Sequence, residues 1–310
     1  MPKFSVVIAV YNKEQHIGKT VESVLAQTFT DFEIIIVNDG STDGSEAIIK
    51  SFNDKRIHYY KQENQGAAAG RNAAIKKATG PFIALLDADD FWEPKYLEVI
   101  KNTLEKYPNE HVFATAVAIE TRGKTIKSTY SLGNLEPGMT YIVDYFEASS
   151  INTILTSSST VLQKSVFDKI GFYDSSIKSG QDTDLWIRIG LKYKIVFINT
   201  FLVTYRFVKQ SLSNKTRDIA SKPTYDKYIK EETKNKRLKK FLDLNRYSLA
   251  ILAKLKNDRD GFKRNFEKID LSNLNKKQRL LLRLSPKSTR FLYNLKNFFE
   301  RFGIRLSAFQ

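Results

Sequence analysis

Asp87, Asp89 and Asp90 stand together after a five-residue apolar run, Phe82 to Leu86, in the segment FIALLDADDFWEP. Three carboxylates this close repel one another unless positive charge sits among them, and a hard divalent cation with oxygen ligands supplies it. The same residues also suit an acidic turn ahead of a helix opening near Glu93 and Pro94, because Asp and Pro favour helix starts. Further polar clusters lie at Tyr11-Asn12, at Asp39 and at Asp182. Each alone has a structural explanation: Asn12 as a cap, Asp39-Gly40 as a turn, Arg71 as a helix-surface charge. They become chemically significant only if the fold brings them to one place.

Over the first 120 residues the apolar pattern alternates between two periods. FSVVIAV (4–10), FEIIIVN (32–38), RIHYY (56–60) and FIALL (82–86) read as strands, and the nearly unbroken FEIIIVN is the pattern of a strand buried on both faces. Between them, Glu14 to Gln27 puts Ile17, Val21, Val24 and Leu25 on one helix face. DGSTDGS (39–45) is a turn leading into a helix to about Phe52, and helices are expected over Gly66 to Ala78 and Pro94 to Tyr107. This order predicts a doubly wound, mostly parallel α/β sheet with right-handed crossovers. The C-terminal ends of parallel strands share the edge where such sheets bind ligands, so the first three clusters converge there. Shorter strands follow (VFATAVAI and STVL), with a loop near 131–140. KSGQDTDLWIRIGLKY (178–193) then opens a helix at Asp182 and Asp184, and KIVFINTFLVTYRF (194–207) is a final strand.

Five segments in order, SVVIAVYN, EIIIVNDGSTDGS, NQGAAAGRNAAI, FIALLDADD and SGQDTDLWIR, resemble the motif series of family 2 nucleotide-sugar glycosyltransferases, inverting enzymes with the GT-A fold. The likeness covers roughly residues 4–208, about two thirds of the chain. It implies that Ala9 and Tyr11 lie along the nucleotide base, that Asp39 hydrogen-bonds the uracil, and that Arg71 lies near base and diphosphate. It further implies that Asp87 binds the ribose, that Asp89 of the D-x-D motif ligates Mn2+ or Mg2+, and that Asp182 is the general base. The chemistry agrees: an acceptor hydroxyl needs a carboxylate to take its proton, and a departing diphosphate needs its charge neutralised. Two departures stand out. Gln181 occupies the place of the family's usual Glu, and no histidine follows Tyr205-Arg206, where Lys209 is left as the candidate phosphate contact. Trp92 and Trp186, beside the aspartate clusters, suit either a sugar face or the core. His16, His58 and His111 show no metal-ligand spacing and are expected in ordinary structural positions.

With 310 residues, 42% of them hydrophobic, the chain can bury a sizeable core, and the absence of cysteine excludes disulfides, thiolate zinc sites and cysteine nucleophiles. No 18-residue apolar window is present, and the N-terminal run reads as a strand rather than a signal peptide, so a cytoplasmic location is expected. The net charge of +16 is uneven: residues 221–310 carry 24 Lys and Arg against 9 Asp and Glu, a net +15. The expected organisation is a catalytic domain over 1–208, a linker over 209–224 and a basic helical region over 225–310. Its last helix, from about Thr289, lines Phe291, Leu295, Phe298, Phe302, Leu306 and Phe309 along one face, with Arg290, Lys296, Arg301 and Arg305 on the remainder. That combination suits the surface of an anionic membrane on its cytoplasmic face, or else packing on the catalytic body. No nucleic-acid motif accompanies the charge, and nucleic acid is not an expected partner. The activity expected is transfer of a sugar from a UDP-linked donor to a glycan or lipid-linked acceptor. The rivals are a nucleotide-sugar-binding scaffold weakened by Gln181, and a phosphatase of the haloacid-dehalogenase type, which needs its aspartates after the first strand instead of the fourth.

Overall fold

The strands form because β-branched runs of the right length alternate with amphipathic helices, and the computed structural model follows that alternation closely. It describes residues 1–121, 123–206, 222–301 and 308. Lys209, most of the expected linker, and Phe302, Arg305, Leu306 and Phe309 lie outside the described residues. Two compact units are present, Met1–Ala148 with Asn152–Lys215, and Ser149–Ile151 with Thr216–Gln310.

The first unit begins β1 (Phe4–Val10), α1 (Ile17–Leu25), β2 (Phe32–Asp39), α2 (Ser45–Lys50), β3 (Ile57–Gln62), α3 (Ala67–Lys77) and β4 (Phe82–Leu85). It continues with β5 (Phe91–Trp92), α4 (Tyr96–Lys106), β6 (Val112–Thr121), β7 (Lys124–Lys127), β8 (Thr140–Val143), α5 (Tyr145–Ala148), β9 (Thr160–Gln163), α6 (Val166–Ile170), α7 (Gln181–Gly190) and β10 (Ile195–Arg206). The described strands make one sheet in the order β3-β2-β1-β4-β9-β6-β10-β5, with β7 on β6 and β8 on β10. The β3-β2-β1-β4 part is parallel, β9 inserts antiparallel between β4 and β6, and β10 runs parallel to β6. The ends of β1, β2, β4, β6 and β10 therefore reach the same edge. The mostly parallel α/β sheet expected from the sequence is the one observed.

Every residue of β2 is buried, as its apolar run requires. Ile34 and Ile36 pack with Val6, Ile8, Ile17 and Val21, each side chain contributing about 1.5–3 kcal/mol of burial. Glu33 is the polar member of that strand. Burial pushes its carboxyl up, but donors at Ser5, Thr79 and Gly80 outweigh this and hold it below the usual range. Helix α3 is alanine-rich because it lies close on the sheet: a Cβ added at Gly70 would stand 3.2 Å from Ala9 Cβ and 3.5 Å from Asp39 Cβ. That close approach carries Arg71 to the strand edge.

In the second unit, a helix over Ile229–Glu232 (α8) precedes α9 (Lys236–Lys256), α10 (Arg259–Phe266), α11 (Lys276–Arg283) and α12 (Pro286–Arg301). Asn235 caps α9 by accepting from Arg237 N and Leu238 N. Leu244, Tyr247, Ala250, Ile269, Leu274 and Leu282 form its core. Some of the basic charge is internal. Arg246 is fully buried on a bidentate pair with Glu232 at 2.6 and 3.1 Å, and buried Lys254 donates to the backbone carbonyls of Leu281, Leu282 and Leu284 at the end of α11.

Candidate active site

Three loops at the strand ends are stitched together. Asn12, at φ 50°, adopts the left-handed conformation that Asn tolerates, and its side-chain oxygen accepts from Thr42 N at 2.8 Å. Lys13 N donates to Ser45 Oγ at 2.8 Å. The pairing of β2 with β3 sets Asp39 opposite Gln62, whose Nε2 donates to Asp39 Oδ1 at 2.7 Å. Asp39 also accepts from Gln65 N at 3.0 Å and Gly66 N at 2.8 Å, so this buried carboxylate fixes the loop that opens α3. Tyr11 stands at the same edge, 48% exposed.

The three aspartates after β4 divide by environment. Asp87 takes the Arg71 guanidinium at 2.5 Å, and the Lys13 ammonium pairs with Asp89 Oδ2. Asp90 turns inward and is 1% exposed, where it accepts from Ser158 Oγ at 2.5 Å and Arg206 N at 3.0 Å. Burial, with the charges of Asp87 and Asp89 beside it, pushes the Asp90 carboxyl well above the ordinary value. It is a structural member of the cluster, not an equal third.

Asp182 lies in the first turn of α7, behind Gly180 at φ 92°. Arg71 reaches it at 3.6 Å, and Ser157 Oγ donates to its Oδ1 at 3.1 Å. Burial raises its pKa, Arg71 and Ser157 oppose the rise, and Asp87 adds to it. A single guanidinium thus spans Asp87 and Asp182. Burial disfavours the charge on Arg71, but the two carboxylates hold it firmly protonated. The other charges of the α7 motif are structural: Arg188 pairs with buried Asp184 at 3.0 Å and donates to the carbonyls of Ile170, Gly171 and Phe172.

Both tryptophans belong to the core. Trp92 stacks on Tyr96 with ring centres 4.2 Å apart and donates its indole N–H to the Ser158 carbonyl at 2.7 Å; Trp186 is equally buried. Neither offers an open face to a sugar. Several participants escaped the sequence reading: Lys13, Ser157, Ser158, Tyr173 and His16. The TSSST run at 156–160 was the available signal for the serines, whose hydroxyls thread between the carboxylates. His16, expected in an ordinary structural position, has Nδ1 3.2 Å from Arg206 Nη1. Burial and Arg206 lower its pKa, while Asp89 works the other way.

An open α/β sheet with carboxylates and cations at its C-terminal edge gathers its charged residues where sheets of this class bind ligands. Residues 5–171 match the profile of glycosyl transferase family 2, and the chain belongs to that family. It is 34% identical over 244 residues to an uncharacterized glycosyltransferase of Methanocaldococcus jannaschii, covering 76% of this chain and 81% of that one. An uncharacterized glycosyltransferase of Rickettsia felis is 36% identical over 199 residues, 62% of this chain. The match spans only 31% of that relative, and 66% of a similar one from Rickettsia prowazekii. Among solved structures, S. aureus TarS 1–349 in complex with UDP-GlcNAc has a TM-score of 0.66 at 17% identity, over 93% of this chain and 88% of that chain.

Proposed function

We propose that the protein transfers a hexose from a UDP-linked donor to an acceptor hydroxyl with inversion at the anomeric carbon. The observation that carries this reading is Arg71, held between Asp87 on the nucleotide side and Asp182 on the reaction side. Asp182 takes the proton of the acceptor hydroxyl as its oxygen bonds to the anomeric carbon. The bond from that carbon to the diphosphate breaks on the opposite face, and UDP leaves. A carboxylate in the first turn of a helix keeps part of its basicity in check through the helix dipole, while burial raises it toward neutral pH. The complex of the structurally similar TarS with UDP-GlcNAc supports a uridine donor.

Asp89 fits a divalent cation shared with a diphosphate. It offers hard oxygen at the strand edge and already attracts a cation, the Lys13 ammonium. Among the described residues no group of three or more His, Cys, Asp or Glu could hold a metal ion by itself, and a cation held by Asp89 would draw further oxygen ligands from the bound diphosphate and water. When bound, Mn2+ or Mg2+ there neutralises charge gathering on the leaving group.

Asp39 is assigned to the uracil. A carboxylate has about four acceptor positions, and three are filled by Gln62, Gln65 and Gly66, which leaves one for the uracil N–H. Calorimetry is expected to show UDP binding more tightly than GDP or ADP. Asp39→Ala should erase that preference and destabilise the fold by about 1–3 kcal/mol, because two backbone N–H groups lose their acceptor. Equal affinities for all three nucleotides in the wild type contradict the assignment.

The acceptor assigned here is a glycan or lipid-linked hydroxyl at an anionic membrane surface. No helix of the described residues is long and apolar enough to cross a membrane. Helix α12, however, leaves Phe291 67% and Phe298 52% exposed, with Leu292 and Leu295 partly so, in a region of net charge +15. Apolar insertion and roughly 1 kcal/mol per basic residue near the surface favour peripheral attachment. Liposome flotation should show binding that rises with phosphatidylglycerol and falls with salt. It should weaken strongly in the Phe291→Ser, Phe298→Ser double variant and vanish in a chain ending at Ser288. Intact protein that ignores liposomes while the truncated chain aggregates contradicts this and favours packing.

A further inference from the structure

The Lys13 ammonium is ion-paired with Asp89, and the two side chains are 22% and 13% exposed, so a ligand reaches the pair from solvent. The backbone around Lys13 is fixed. Its N donates to Ser45 Oγ at 2.8 Å, and its carbonyl accepts from His16 N and Ile17 N, each at 2.9 Å, where α1 begins. Thr20, further along α1, sets its hydroxyl 3.1 Å from the Ala88 carbonyl and 2.8 Å from the Asp90 carbonyl. The helix is thereby tied to the aspartate loop on both sides of Asp89. Only the four-carbon stem of the lysine is left to move, and its compact ammonium needs no fixed geometry.

Asp89 is also the residue assigned to the divalent cation. An ammonium and a divalent cation on one carboxylate repel each other, so the cation binds there by displacing Lys13. The acids around the displaced ammonium are already engaged. Asp87 holds Arg71, Asp90 holds Ser158 Oγ and Arg206 N, and Glu120 pairs with Arg206 at 3.2 Å. The corner is also positive. Arg206 Nη1 stands 3.2 Å from His16 Nδ1, and after burial the charges of Arg206 and Lys13 are what lower the His16 pKa, against the pull of Asp89. An ammonium released here is unfavourable unless a new anion arrives with the metal, and the diphosphate of the donor is that anion.

Building on the metal role given to Asp89 above, we propose that Lys13 makes metal binding conditional on the diphosphate. It holds Asp89 in the free enzyme and passes to the phosphate oxygens when the cation takes the carboxylate. Metal and nucleotide then bind with positive coupling, each strengthening the other by the same factor.

Mn2+ binding followed by electron paramagnetic resonance, without nucleotide and with UDP, tests this independently of turnover. Lys13→Met removes the charge and keeps most of the stem. It should bind Mn2+ alone roughly 5–20-fold more tightly than the wild type, because the internal competitor is gone. The factor by which UDP tightens Mn2+ binding should shrink at least as much, and Lys13→Arg should bind Mn2+ alone as weakly as the wild type. If Lys13→Met binds Mn2+ alone no more tightly, the inference alone is overturned and the pair is an ordinary surface ion pair. A variant that fails to fold overturns it too, by making the ammonium structural. A wild type that binds no Mn2+, with or without UDP, overturns the metal at Asp89 and this inference together. Calorimetry with UDP then judges the transfer reading separately.

Discussion

Asp182→Asn lowers the transfer rate by ~10²–10⁴-fold with donor affinity nearly unchanged, because the amide keeps the carboxylate's shape and cannot accept a proton. Ser157 and Arg71 still orient the side chain, so circular dichroism should report an intact fold. A general base works only when unprotonated. Since burial raises the Asp182 pKa, the wild-type kcat/KM should climb with pH through a limb above the ordinary Asp value of 3.8. The Asn variant should lack that limb. A retained rate combined with lost donor binding would assign Asp182 to the donor instead of the proton.

Asp89→Asn is expected to abolish transfer and to remove the metal-dependent part of UDP binding, since a neutral amide is a poor ligand for a hard cation. Titration of UDP by calorimetry, with and without Mn2+, separates that part from the rest. The wild type should bind more tightly with the metal, and the variant should bind equally either way. Loss of the Lys13 partner offers an internal control. Asp89 and Lys13 are both partly exposed, so breaking their pair should change stability by no more than about 1 kcal/mol. Full wild-type turnover in excess chelator contradicts a metal at Asp89.

The parallel half of the sheet was legible because periodicity and burial agree there. FEIIIVN became the fully buried β2, and the helix over 66–78 appeared as α3 within a residue or so at each end. The two-residue β5, which pairs antiparallel with β10, was not legible, because Phe91-Trp92 is too short to carry a period. Asp182 could be placed on a helix start from its motif. Its connection to Arg71 could not be read, since 111 positions separate them and only the fold closes that distance. The different surroundings of Asp87, Asp89 and Asp90 could not be read for a similar reason: three neighbours in sequence point in different directions, and Ser158 draws the third inward. Tryptophans beside a carboxylate motif suggested sugar platforms, but Trp92 was already engaged by Tyr96 and the Ser158 carbonyl. Arg246 and Lys254 entered the sequence reading only as part of the net charge of the basic region, whereas both are buried and matched to internal acceptors.

The most direct test of the account is the anomeric outcome of the reaction. Purified protein incubated with Mn2+ and a panel of UDP-α-hexoses should release UDP from one of them even without acceptor, as water takes the acceptor's place. Proton NMR recorded at early times should then show the β-hexose appearing before mutarotation, as single displacement assisted by Asp182 requires. Initial release of the α-anomer, or release that persists undiminished in Asp182→Asn, would contradict it.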